Sequence, residues 1–346
     1  MSFAFGFSAD DLNADEPTVA VTATIPAPVN PPELIPPAHV ALEPLLESLT
    51  NVRMTFDQHT TPAGNTLFRR LLFDIKHQAM VEDDGGANSV HSILLGAGDE
   101  VDLQKNVYEG GFKLWECSYD LVDALATQWA AGQLRSRHCL LELGCGTALP
   151  SCFLMAQVFA STDACALRTV VLTDFNAEVL RLVTLPNLIA AWVLTLDPAE
   201  LPSLMDSGIP LNADEILLTL ALLARFRAAL AAKSINLRLV HGSWGAYFCK
   251  LVAPHKPDLI LTSETIYSPE TLPVVLYTLL LLVSGDYLVL VAAKEYYFGV
   301  GGSIVEFMQR LHAKKPATMH VDTLGGGQGQ LKRDIVRMRP SASGTI

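Results

Sequence analysis

The chain has 346 residues, half of them hydrophobic, and 24 basic residues against 36 acidic ones give a net charge of −12. That length suits one large domain with an extension, or two domains, and the acidity argues against free nucleic acid as a default partner while suiting a basic protein substrate. Six cysteines without Cys-x-x-Cys or Cys/His zinc spacing predict reduced thiols and no metal site, and the longest apolar run, residues 272–283, is too short to span a bilayer.

Residues 1–60 are rich in proline and acid and predict a disordered tail. Its SFAFGF start, at 2–7, is either a docking peptide or part of a passive tail. Residues 61–346 are expected to form one domain, with 61–106 as a hairpin extension. Within that extension, residues 66–80 alternate with period two and predict a strand, and a second short strand is expected over 90–95. Next comes VYEGGFKLWEC at 107–117, where Trp115 is either a core residue or a lid over a flat ligand.

Residues 139–143 form an apolar run of the kind a buried parallel strand shows. It breaks at Gly144, Cys145 and Gly146 and passes into a helix-compatible stretch. Strand, glycine turn and helix N-terminus together suit a nucleotide-sized ligand. Glu142 at the strand's carboxyl end suits an ammonium better than a phosphate, which favours S-adenosylmethionine over a dinucleotide. A second strand, 169–173, ends at Asp174, Phe175 and Asn176, and Asp174 lies 28 positions after Gly146. An acid at that spacing accepts ribose hydroxyls in doubly wound folds, or caps a helix. Residues 194–212 read as loop and 215–233 as one apolar helix.

The third strand, 237–240, runs into Gly242, Ser243 and Trp244, a position suited to stacking an adenine or to covering the core. The fourth, 257–262, delivers Ser263, Glu264 and Tyr267 to the same sheet edge, where a second substrate meets the ligand or a helix is capped. A fifth strand, 287–293, leads to an aromatic and glycine-rich lip at 294–303. A helix over 304–313 and closing strands at 317–323 and 333–339 complete the chain, with a glycine loop at 325–329.

Four stretches, VYEGGFKLWEC (107–117), LELGCG (141–146), LTSETIY (261–267) and YFGVGG (297–302), resemble class I S-adenosylmethionine-dependent methyltransferases. The likeness is greatest to the eukaryotic histidine protein methyltransferase family, over roughly residues 65–339. It departs in having Ala148 where a third glycine is common, and residues 194–233 have no match to the family pattern. The resemblance implies a Rossmann-like α/β fold with a mostly parallel seven-stranded sheet and helices on both faces. It implies methylation of the distal (tele) imidazole nitrogen of one histidine in a large-subunit ribosomal protein, in the cytoplasm and nucleus. Cofactor contacts would fall on Leu114, Trp115, Glu116, Cys117, Ser118, Gly144, Asp174, Phe175, Asn176, Gly242, Ser243, Trp244 and Ser263, beside Glu142 and Gly146 from the residue reading. Glu264 and Tyr267 would act on the substrate.

A neutral imidazole has a lone pair available at pH 7, so a strong base is unnecessary. What is needed is an acceptor for the other ring N–H, with Glu264 or a backbone carbonyl in 263–267 as the candidate. A protein lysine methyltransferase of the same fold and a non-catalytic chaperone for a ribosomal protein are the alternatives. Neither a membrane nor sequence-specific nucleic acid is an expected partner.

Overall fold

A computed structural model describes residues 35–82, 94, 108–206, 208, 210–328 and 331–341. The strands in chain order are β1 (Ala38–Val40), β2 (Arg53–Thr60), β3 (Thr66–Arg70), β4 (Cys139–Leu143), β5 (Thr169–Asp174) and β6 (Glu215–Leu217). They continue as β7 (Asn236–His241), β8 (Leu259–Ser263), β9 (Leu288–Lys294), β10 (Met319–Gln328) and β11 (Lys332–Pro340). Every residue of β4 is buried, as a continuous apolar run at the centre of a parallel sheet demands. The main sheet has the order β1-β7-β5-β4-β8-β9-β11-β10. Its inner strands β7, β5, β4, β8 and β9 are mutually parallel. The outer strands β1, β11 and β10 pair antiparallel.

Helices cover both faces. One face is built on Leu121, Leu149, Trp192 and Phe226, the other on Phe248, Leu276 and Phe307. The α/β, mostly parallel architecture expected from the sequence is the observed one. Among the described residues no helix is long and apolar enough to cross a membrane.

Several boundaries differ from expectation. Eight strands rather than seven make the sheet, because β1 comes from the stretch read as tail and pairs with β7. The expected tail of 1–60 is corrected over residues 35–60: β1, the helix Leu42–Ser48 and β2 all lie within that stretch. Leu45, Leu46 and Leu49 supply the apolar anchors that the proline count hid, all buried in the main core. Residues 1–34 lie outside the described part.

The hairpin exists but is shifted toward the N-terminus, formed by β2 and β3 with Asp57 opposite Arg69. The strand predicted over 66–80 stops at Arg70 and gives way to the helix Leu72–Glu82. There Ile75 and Ala79, four apart, are buried against Val179 and Leu182, whereas Phe73 of the supposed alternation is 78% exposed. Helical burial outweighed a period-two pattern. The strand expected over 90–95 lies outside the described residues except Leu94, which is helical. Residues 215–233 are β6 followed by the helix Leu220–Ala232, not one helix. Thr219 breaks them by accepting the Leu222 N–H at 3.1 Å, the N-cap role threonine favours. The loop 194–212 carries one short helix, Leu201–Leu204, and the glycine stretch at 325–329 is drawn into β10 up to Gln328.

Candidate functional site

The carboxyl ends of β4, β5, β7 and β8 open on one edge of the sheet, into a cleft of about 430 Å³. This is where ligands bind in open parallel sheets. The floor is the glycine turn after β4. Gly144 has φ +60, and an added Cβ would lie 2.7 Å from Thr265 Cγ2 and 3.2 Å from the Trp244 ring. Only glycine leaves that space open.

Asp174, at the end of β5, is buried and turns toward this floor. Its Oδ2 accepts the Gly146 N–H at 2.9 Å and its Oδ1 accepts the Asn176 N–H at 3.1 Å. Burial pushes its pKa up to about 6, with the backbone N–H groups opposing that shift and the charge of Glu109 adding to it.

The opposite wall comes from the turn after β8. Glu264 sits in the left-handed region with φ +58, its N–H bonded to Ala292 O at 2.9 Å. Its Oε1 accepts the Cys117 N–H at 3.3 Å and lies 3.6 Å from Lys294 Nζ. The same ammonium stands 5.7 Å from the centre of the Trp115 ring and 6.0 Å from that of Tyr297, within cation–π range. Burial, and next the Glu264 charge, hold the Tyr297 hydroxyl well above the usual phenol range. Trp115 is fixed from its other end by Nε1–H donating to Gly110 O at 3.1 Å. Glu264 thereby ties the 110–117 segment to β8 and β9. The Tyr267 hydroxyl donates to Glu109 Oε2.

Of the residues anticipated from sequence, Trp115, Ser118, Gly144, Gly146, Asp174, Phe175, Gly242, Ser243, Trp244, Ser263, Glu264 and Tyr267 all line this one cleft. Five do not. Leu114 packs on the main core, and Glu116 is exposed and pairs with Arg333 at 3.1 Å. Cys117 is buried and meets the site through its backbone N–H, and Asn176 meets it through its N–H to Asp174. Glu142 requires correction. Its carboxyl accepts the Ser151 N–H at 3.2 Å and the Ser151 hydroxyl, at the start of the helix Leu149–Ala160, instead of facing a ligand ammonium. Complete burial pushes its pKa up to about 8.

Sequence reasoning missed Glu109, Lys294 and Tyr297. Glu109 and Tyr297 stand inside the motifs at 107–117 and 297–302, yet nothing local marks which way their side chains turn.

No family model matches the chain. Among solved structures, the rRNA methyltransferase aviRa from Streptomyces viridochromogenes aligns at 17% identity with a TM-score of 0.40, over 66% of this chain and 86% of its own. Histidine protein methyltransferase 1 of Saccharomyces cerevisiae is 40% identical, over 97% of this chain and 98% of its own length. Its namesake in Schizosaccharomyces pombe is 37% identical over 72% of this chain and 69% of its own. A homolog in Rattus norvegicus is 37% identical over 68% of this chain and 58% of its own. With two-fifths identity sustained along nearly the whole of both sequences, the chain belongs to the histidine protein methyltransferase family.

Proposed function

We propose that the protein transfers a methyl group from S-adenosylmethionine to the distal imidazole nitrogen of a histidine in a large-subunit ribosomal protein, in the cytoplasm and nucleus. The observation that carries this reading is the two-sided cleft. A buried carboxylate, Asp174 at the end of β5, is held at the glycine turn on one side of β4, and Tyr267, whose hydroxyl donates to Glu109, follows β8 on the other.

The residues present fit the cofactor. Trp244 Nε1–H is buried in the cleft wall without a partner, a donor that a bound ring nitrogen or oxygen would satisfy. Asp174 keeps acceptor capacity beyond its two backbone donors and would take ribose hydroxyls. The open space over Gly144 admits a ligand against the backbone. When bound, the cofactor supplies a methyl already activated by its sulfonium. The chain's task is then positioning and exclusion of water.

Lysine is the weaker substrate for this cleft. Its ammonium must lose a proton at pKa about 10.4, whereas histidine near 6.5 is neutral at pH 7. Glu264, which would attract an ammonium, is already balanced by Lys294. Family membership supports a histidine of a protein as the acceptor, and the acidic chain suits a basic protein as its carrier.

The test is incubation with isotopically labelled S-adenosylmethionine and extracted large-subunit ribosomal proteins, followed by hydrolysis of the labelled protein. Label in distal N-methylhistidine is expected. Label in methyllysine, or cofactor binding without transfer, overturns the reading.

A further inference from the structure

The functional reading leaves open what selects the reactive ring nitrogen. Glu264 Oε1 is taken up by Cys117 N–H and Lys294, while its Oε2 is buried without a partner. Tyr267 lines the cleft with a half-buried side chain, and its hydroxyl proton is committed to Glu109 Oε2. A phenol whose proton is held by a carboxylate presents oxygen lone pairs, not a donor, to whatever lies on its other side. Glu109 follows Tyr108, which is 4% exposed and stacks on Phe112 with ring centres 5.3 Å apart. The Tyr108 hydroxyl accepts the Phe112 N–H at 2.8 Å, which closes the loop that carries Glu109. Glu109 lines the same cleft as Asp174, near enough for its charge to raise the Asp174 pKa.

We propose that Glu109 is a positioning residue for methyl transfer: by accepting the Tyr267 proton it turns the Tyr267 oxygen into the acceptor that holds the proximal N–H of the substrate imidazole and leaves the distal nitrogen's lone pair to react. This rests on the function proposed above. In the transfer the new N–C bond forms as the S–C bond breaks, and the bonding pair stays on sulfur. The positive charge passes to the ring, which as methylimidazolium loses the proton of its held N–H to water after the product leaves. The Tyr267–Glu109 pair, carrying net negative charge, sits beside the ring as that charge develops, where preorganised polar groups contribute most.

The experiment compares full-length wild type, Glu109→Gln, Glu109→Ala and Tyr267→Phe in single turnover. The substrate is extracted large-subunit ribosomal proteins at saturating cofactor, and the ratio of distal to proximal methylhistidine is read in the hydrolysate. Cofactor affinity by calorimetry reports that each variant is folded. Gln keeps a carbonyl that accepts the Tyr267 proton, so Glu109→Gln is expected to keep the isomer ratio and lose about tenfold in rate, the worth of a charge-assisted bond. Glu109→Ala and Tyr267→Phe are each expected to lose about a hundredfold, the cost of losing alignment, and to yield both isomers. Combining these two changes should cost no more than either alone. An unchanged rate and isomer ratio in Glu109→Ala overturns the proposal while the functional reading stands. Methyllysine from the wild type overturns the reading itself, and this inference with it.

Discussion

Two buried carboxylates, Glu142 just before the glycine turn in sequence and Asp174 bonded to it in space, have opposite fates, and their partners decide which. Asp174 receives two backbone N–H bonds and faces the cleft. Replacing it with alanine removes the acceptor for the cofactor's hydroxyls. A charge-assisted hydrogen bond is worth about 1.5–3 kcal/mol, so Asp174→Ala is expected to weaken S-adenosylmethionine binding roughly ten- to a hundredfold by calorimetry. Unchanged affinity would remove Asp174 from the cofactor site. Glu142 faces Ser151 and is raised by burial from 4.5 to about 8. Its folded pKa exceeds the unfolded one, so the native state binds the extra proton and stability is lost as pH rises through that window. Glu142→Gln keeps an acceptor for the Ser151 N–H and cannot ionise. Its melting temperature should match wild type near pH 5 and exceed it increasingly toward pH 8. Parallel curves across that range would show that Glu142 is not protonated in the folded protein.

At the scale of elements, β1 does more than extend the sheet. The Ser243 N–H donates to Ile35 O at 2.8 Å and the Ile35 N–H donates to Ser243 Oγ at 3.2 Å. Gly242, at φ +111, lies so close beneath this segment that an added Cβ would come within 2.6 Å of Pro37 Cα. Residues 35–40 thus clamp the turn that carries Trp244 into the cleft. Two truncated chains separate this role, one beginning at Ile35 and one at Leu42. The shorter chain loses β1 and both Ser243 bonds. At about 1 kcal/mol for each bond it should melt several degrees lower and bind S-adenosylmethionine about tenfold more weakly than the longer one. Equal affinities for the two would mean that the turn holds its shape without β1.

The whole molecule carries a net charge of −12, and four of the five charged residues lining the cleft are acids: Glu109, Asp174, Glu264 and Glu270, against Lys113. On the proposed function, such a field is expected to steer a basic protein substrate toward the opening. Exposed charges are screened beyond about 10 Å at 0.1 M salt. Raising salt from about 50 to about 500 mM should therefore increase KM for extracted ribosomal proteins severalfold, while kcat and cofactor affinity change little. A KM indifferent to salt would leave the acidity with no part in substrate capture.

Much of the site was legible because its signals are local along the chain. The apolar run of β4, the glycines that follow and the acid 28 positions on are each set by backbone geometry that a few neighbouring residues impose. Family motifs located the remaining cleft-lining positions in the same way. What the pattern could not carry is direction. All five residues of β4 are buried, so alternation says nothing about which side meets the ligand, and Glu142 was assigned to the wrong one. Phe73 continued a period-two pattern that helical packing against Val179 and Leu182 overrode. The contacts that define the site's chemistry join residues far apart: Tyr267 with Glu109 across 158 positions, Cys117 with Glu264 across 147, and Ile35 with Ser243 across 208. Local sequence thus determined the five parallel strands of the main sheet, the glycine turn and the family. The tertiary structure decided which carboxylates face the cleft and which are consumed in holding it, because that depends on donors that only folding brings within hydrogen-bond reach.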